Sequence, residues 1–226
     1  MPPHRDPRKA ADPPSESDGA FDGDPNWRVT RTLRDGTAVV IRPIQPDDRD
    51  ELRREFERTS PETRYLRFLG VVGELSEETL TYLTCVDQHD HIALVATTTS
   101  PDLKSERGVA VGRVIRLKGE PHVAEAAITV ADDMQKLGIG SALALELGRA
   151  ARARGIRVIR AEVLEANAAM RGILEQVGAQ RVDSGEQSGT VCYDIALDPA
   201  PHASRVLEVL RGAAQTMAVS LRKIAL

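Results

Sequence analysis

Gln135, Gly138, Gly140 and Ser141 follow closely on an apolar run, Ala124 to Val130, with Ala-Asp-Asp-Met in between. The apolar run reads as a strand, and a helical spacing begins at Ile139, between the two glycines, so both stand where a helix opens. Glycine there lets the backbone approach a ligand closely and take positive φ without a Cβ penalty. The first N–H groups of a helix lack intrahelical acceptors and carry the positive end of its dipole. The loop of Gln135, Lys136, Leu137, Gly138, Ile139, Gly140 and Ser141 therefore reads as an anion cradle suited to a pyrophosphate. No Gly-Lys-Ser/Thr ending follows, so it is not a P-loop, and the six-residue dinucleotide glycine pattern is missing too. A plain structural turn is the competing reading of two glycines alone.

Upstream, Glu125 is a carboxylate inside Val123, Ala124, Ala126, Ala127 and Ile128. Such a group is costly there unless it faces water or a site. Period-two alternation puts Glu125, Ala127 and Thr129 on one face. His89 and His91 have no third metal ligand in a fitting spacing. The two cysteines, Cys85 and Cys192, stand in neither a metal nor a redox spacing.

Around this run, the turn Asp35-Gly36 precedes a strand, Thr37 to Arg42, ended by Pro43. Asp47 and Asp48 open a helix to about Thr59, and Ser60-Pro61 restarts it. Ser76 caps a short helix to Tyr82. Three runs, His91 to Thr99, Val109 to Leu117 and His122 to Val130, form an antiparallel meander turning at 118–121. Ile139, Leu143, Leu147 and Ala150 mark a helical face over 139–153. A strand over 156–163, a helix over 167–177 closed by Gly178, and strands over 180–183 and 190–197 follow. The fold class is α/β (an α+β mixed sheet) with helices on both faces.

Gln-x-x-Gly-x-Gly between a meander and a strand–helix pair resembles the coenzyme A pyrophosphate loop of the GNAT acetyltransferase superfamily, over roughly residues 35 to 198. The resemblance implies a GNAT-like acyl-CoA N-acyltransferase fold with acetyl-CoA as co-substrate and no metal. It implies that the strands 122–130 and 156–163 splay to admit the pantetheine arm. The backbone of Ile128 and Val130 would hold that arm, with the Val130 N–H as oxyanion donor. Asn167, in Val163-Leu-Glu-Ala-Asn-Ala-Ala-Met170, would contact the pantetheine-pyrophosphate region. The family's frequent Tyr acid falls at Leu174 here. Tyr193 and Cys192 lie nearby on the last strand, where packing is the simpler role for both.

Asp35-Gly-Thr37 with Ile41-Arg-Pro-Ile44, Ser60-Pro-Glu-Thr-Arg-Tyr-Leu-Arg-Phe68 and His91-Ile-Ala-Leu-Val-Ala96 resemble the bacterial Pat-type protein-lysine acetyltransferases. That likeness places the catalytic glutamate at Glu125. A lysine amine, with pKa ~10.4, must lose a proton before it attacks, so a base is needed. The acceptor is then a protein lysine, such as that of an acyl-CoA synthetase, or else a small amine. A non-catalytic acyl-CoA sensor is the reading from another class, and the carboxylate at Glu125 speaks against it.

A net charge of -4 and a pI of about 5.8 argue against a nucleic-acid binder. No apolar stretch reaches the ~18 residues of a membrane span, and no secretory signal is visible. A cytoplasmic location is expected. Residues 1–27, rich in Pro, Asp, Gly and Ser, read as a disordered leader too short for the regulatory domain often joined to Pat-type enzymes. Residues 28–198 form the acetyltransferase domain and 199–226 an extension. Val206, Leu210, Ala213, Met217, Leu221 and Ile224 make the extension an amphipathic helix, docked on its own domain or on a second copy, so that monomer and homodimer both stay open.

Overall fold

The computed structural model describes residues 19, 21–58, 74–99, 106–165, 168–176, 178–182 and 189–197. The expected helix beyond Ser60, Asn167 and the helix over 203–224 lie outside the described residues. One eight-stranded sheet organises the chain, in the order β1-β2-β3-β4-β5-β6-β8-β7. Its strands are β1 (Val29–Thr32), β2 (Ala38–Pro43), β3 (His91–Thr99), β4 (Glu106–Leu117), β5 (Glu120–Val130), β6 (Val158–Leu164), β7 (Gln180–Val182) and β8 (Thr190–Ala196). Neighbours run antiparallel except β5 and β6, which are parallel. The meander is present as the alternation demands. Its second turn is tighter than the sequence suggested: only Lys118 and Gly119 remain outside the strands, with Gly119 at φ +87°.

Among the described residues, four helices flank the sheet: α1 (Arg49–Arg58), α2 (Glu77–Thr84), α3 (Ile139–Ala153) and α4 (Ala168–Gln176). Ser76 caps α2, its hydroxyl accepting from the Thr79 N–H at 3.1 Å. The α1 entry is fixed by Asp48, which accepts from the Gln45 N–H at 2.7 Å and pairs with Arg42 through both carboxylate oxygens. On one sheet face, Ile139, Leu143, Leu147 and Ala150 of α3 pack with Ala124, Ala126, Ile128 and Val130 of β5 in the main core. On the other, α1 contacts β4, and Ile44, Ala93 and Val95 make a second, smaller core.

The close approach of α3 to β4 depends on Gly112. A Cβ there would lie 2.4 Å from Leu147 Cδ1 and 3.1 Å from Leu143 Cδ2. Gly112→Val should therefore destabilise the fold by about 1–3 kcal/mol, the usual cost of overpacking. Urea denaturation reads this as a lower midpoint with an unchanged slope.

Two features depart from expectation. Strand β1 carried too little alternation to be read, yet it closes the sheet edge, and Arg31 on it pairs at 2.6 Å with Glu146, buried in α3. The end of the supposed leader also belongs to the fold. Phe21 is fully buried and Trp27 nearly so, with ring centroids 5.4 Å apart. Arg154 Nη1 donates to the Phe21 carbonyl at 2.9 Å and its guanidinium lies over the Phe21 ring. Burial of the two aromatic side chains, with the Arg154 contacts, works against the ordering cost of this short polar stretch. No helix among the described residues is long and apolar enough to cross a membrane.

Candidate active site

The parallel pair β5 and β6 holds together over three positions only, Val123 with Val158, Ala124 with Ile159 and Glu125 with Arg160. Beyond them β5 continues to Val130 and β6 to Leu164, each still paired on its outer side, to β4 and β8. The strands therefore part immediately after Glu125. Backbone direction along the open edge follows from its ends. The Ala131 N–H donates to Val109 of β4 at 2.9 Å, and the His122 carbonyl accepts from Arg157 beside β6 at 2.8 Å. Since backbone groups alternate sides along a strand, those of Ile128 and Val130 point into the gap. An extended polar ligand can add there as a strand would.

The gap opens toward the glycine loop. Gln135 Nε2 donates to Asp132 Oδ1 at 3.0 Å and, more weakly, to the Val130 carbonyl at 3.5 Å. Lys136 stands at φ +65° and Gly138, the N-cap of α3, at φ +98°. The Leu137 carbonyl accepts from the Arg34 N–H at 3.4 Å. Ile139, Gly140 and Ser141 form the buried first turn of α3, and the Ser141 hydroxyl is buried with no hydrogen-bond partner among the described residues. A helix start with a left-handed glycine and an unsatisfied hydroxyl fits a phosphate oxygen. Arg107 braces the loop: it donates to Asp133 at 2.7 Å and to Glu55 of α1 at 3.2 Å. The same guanidinium holds the Asp133 carboxyl below its ordinary range.

Glu125, half-buried, faces away from the main core, as alternation required. Strand registers set three rows on that face. The first is His91, Ile115, Glu125, Arg160 and Asp194; the second Ala93, Arg113 and Ala127; the third Val95, Val111 and Thr129. Arg160 is tied to Asp194 at 2.8 Å and to Glu120 at 2.8 Å. A cavity of about 180 Å³ lies between α1 and the third row, lined by Leu52, Phe56, Val95, Val111, Arg113 and Thr129 among others. Glu125 does not line it. It stands two rows away, about 13 Å along the strand, separated only by the small side chain of Ala127.

The sequence singled out neither Thr129 nor Arg113 for the site, although each is a polar residue inside an apolar strand, the same signal that picked Glu125. Arg113 is almost wholly buried, donating to the Leu83 carbonyl at 2.7 Å and meeting His91 Nε2 at 3.3 Å. Burial, and then the Arg113 charge, push the His91 pKa down to about 4. The imidazole is thus neutral in the fold and takes up a proton on unfolding once the pH drops below its free value of about 6.5. Stability should fall as pH drops from about 6.5 toward 4, in proportion to the extra proton bound by the unfolded chain. His91→Gln, which keeps an acceptor for Arg113, should lose less melting temperature than wild type across that window.

Leu174 is buried in the main core, and Tyr193 donates to Glu175 Oε1 at 3.1 Å with its ring enclosed. Cys192 is buried as well. His89 is exposed against Asp90.

Comparison with known proteins gives one consistent result. The family model described as "Acetyltransferase (GNAT) family" matches residues 49–179. An acetyltransferase of Pseudomonas aeruginosa, PA5475, is 33% identical over 183 residues, covering 81% of this chain and 95% of that protein. The acetyltransferase Pat of Mycolicibacterium smegmatis is 32% identical over 186 residues, covering 80% of this chain. The chain spans 53% of that relative's length. Among solved structures, the GNAT domain of S. lividans PAT is similar with a TM-score of 0.64 and 31% identity, covering 75% of this chain and 97% of that one.

Proposed function

The chain belongs to the GNAT acetyltransferase family, and from that premise we propose that it moves an acetyl group from acetyl-CoA to the ε-amine of a protein lysine, with Glu125 as general base. That it is an acetyl-CoA-dependent N-acetyltransferase follows from the family. The lysine acceptor, an acyl-CoA synthetase being the type, rests on the Pat-type likeness. The observation that carries the site is the parting of β5 from β6 at Glu125. It leaves the backbone of Ile128 and Val130 to hold an extended arm between the glycine loop and the carboxylate.

Acetyl-CoA supplies an activated acyl carbon with a thiolate leaving group. The chain's own groups bind and orient it. Gly138, Gly140 and Ser141 offer N–H groups and a hydroxyl at the positive end of α3. The Val130 N–H, aimed into the gap, is placed to stabilise charge on the acyl oxygen. Glu125 accepts the amine proton, directly or through water. The test is thiol release from acetyl-CoA across a panel of small amines, a lysine peptide and an intact acyl-CoA synthetase. Release with the protein acceptor far above that with the small amines supports the reading. Release confined to a small amine, or absent throughout, removes it.

A further inference from the structure

Among the described residues, the cavity on the α1 side offers no carboxylate without a cation, and the Arg113 guanidinium lies in its wall. Each of its carboxylates already has a cation: Asp48 pairs with Arg42 at 2.7 Å, Glu51 with Arg54 at 2.7 Å, Glu55 with Arg107 at 3.2 Å and Glu106 with Arg42 at 3.6 Å. Between them the wall is largely apolar, with Ile44, Leu52, Phe56, Val95 and Val111. Such a wall favours the neutral form of an amine over its ammonium, because desolvation penalises the charge. It also suits an aliphatic stem.

Thr129 breaks this pattern. It lines the cavity, yet Oγ1 is shielded from water and has no hydrogen-bond partner among the described residues. A buried hydroxyl in that condition is unfavourable and ready to accept a partner. Staggered χ1 wells lie about 120° apart, so one rotation exchanges Cγ2 for Oγ1 and presents the oxygen to an occupant of the cavity. Thr129 also sits between Ile128 and Val130, whose backbone groups face the β5–β6 gap. Here β5 borders the gap along its free edge and the cavity on its α1 face, so the two meet at this strand.

We propose that Thr129 positions the acceptor, its Oγ1 accepting an N–H of the neutral amine on the α1 face of β5 so that the nitrogen lone pair turns toward the open β5–β6 edge, where the acyl carbon would sit with nothing between them. The proposal rests on the acetyl transfer inferred above. In that step the C–N bond forms, the C–S bond breaks to release coenzyme A thiolate, and the amine proton leaves toward Glu125. Thr129 gains or loses no proton; it holds direction.

Thr129→Val keeps the shape and removes the hydroxyl, and Thr129→Ser keeps the hydroxyl. With the fastest acceptor from butylamine, spermidine, a lysine peptide and an intact acyl-CoA synthetase, Thr129→Val should lower kcat/KM for the acceptor about ten-fold, the scale of one oriented hydrogen bond. KM for acetyl-CoA should stay as in wild type, and Thr129→Ser should recover most of the loss. The melting temperature of Thr129→Val should hold or rise, since an unsatisfied buried hydroxyl has gone. A fall in melting temperature that tracks the activity loss would make Thr129 a packing residue and overturn the role, as would unchanged kcat/KM or a serine variant no better than valine. If wild type releases thiol with none of these acceptors, the transfer reading itself fails and takes this role with it.

Discussion

Glu125→Gln is expected to slow acetyl transfer by on the order of 100-fold or more, the usual contribution of a positioned general base. The amide keeps the volume and hydrogen-bonding reach of the carboxylate and removes only its basicity. Acetyl-CoA affinity should barely change, because the groups assigned to its anionic part lie past Val130, on the far side of the β5–β6 gap. The deficit should shrink as pH rises toward the amine's own pKa of ~10.4, where more of the acceptor is already neutral. A pH–rate profile of both proteins at saturating acetyl-CoA measures this. Unchanged transfer in the variant would assign proton removal to another group and leave Glu125 as a polar residue of the sheet face. The rows on that face give the expectation a geometric condition. The cavity beside Thr129 lies two rows from Glu125, so an amine bound there sends its proton over Ala127, with water bridging the span. Filling that path with Ala127→Leu should then mimic part of the Glu125→Gln loss without touching the carboxylate.

The meander and the α3 helix were legible because each has one buried face, and burial on one face imposes a period on the sequence. Glu125 stood out for the same reason, as a charge that breaks a period. Strand β1 was not legible: four residues, Val29 to Thr32, alternate too briefly, and its stabilising partners on β2 and α3 are remote in sequence. Phe21 and Trp27 sat in a composition typical of disorder, and only tertiary packing, of Phe21 against Arg154 and of Trp27 against Phe21, shows why they are ordered. The glycine loop could be placed by spacing, but Lys136 at positive φ could not, since nothing in a lysine side chain announces a left-handed backbone. The row proposed for the acceptor was the least visible. Thr129, Val111 and Val95 form one row only because three strands pair in a particular register, and register is a property of the folded sheet, not of any one strand.

Gly138→Val is expected to abolish the stabilisation that coenzyme A gives the wild-type protein. A ligand that binds only the folded state, at about 100 times its Kd, stabilises by ~2.7 kcal/mol. For a chain of this size that is a rise in melting temperature of roughly 5–10 °C. Gly138 caps α3 at φ +98°, a conformation that valine adopts only at a cost of ~1–2 kcal/mol. Beyond its chain neighbours and its own helix, a Cβ built there meets nothing among the described residues within 4 Å, so the fold does not resist the substitution by contact. The penalty acts through the backbone: relaxing φ turns the first N–H groups of α3 away from the site where a pyrophosphate would sit. The unliganded variant should melt only a few degrees below wild type, with its sheet intact, while coenzyme A shifts it by about 1 °C or less. Gly138→Asn is the control, because asparagine tolerates positive φ. It should keep a measurable part of the shift, which separates the loss of backbone geometry from simple crowding of the ligand. A Gly138→Val protein that coenzyme A stabilises as strongly as wild type would move the anion site away from the start of α3.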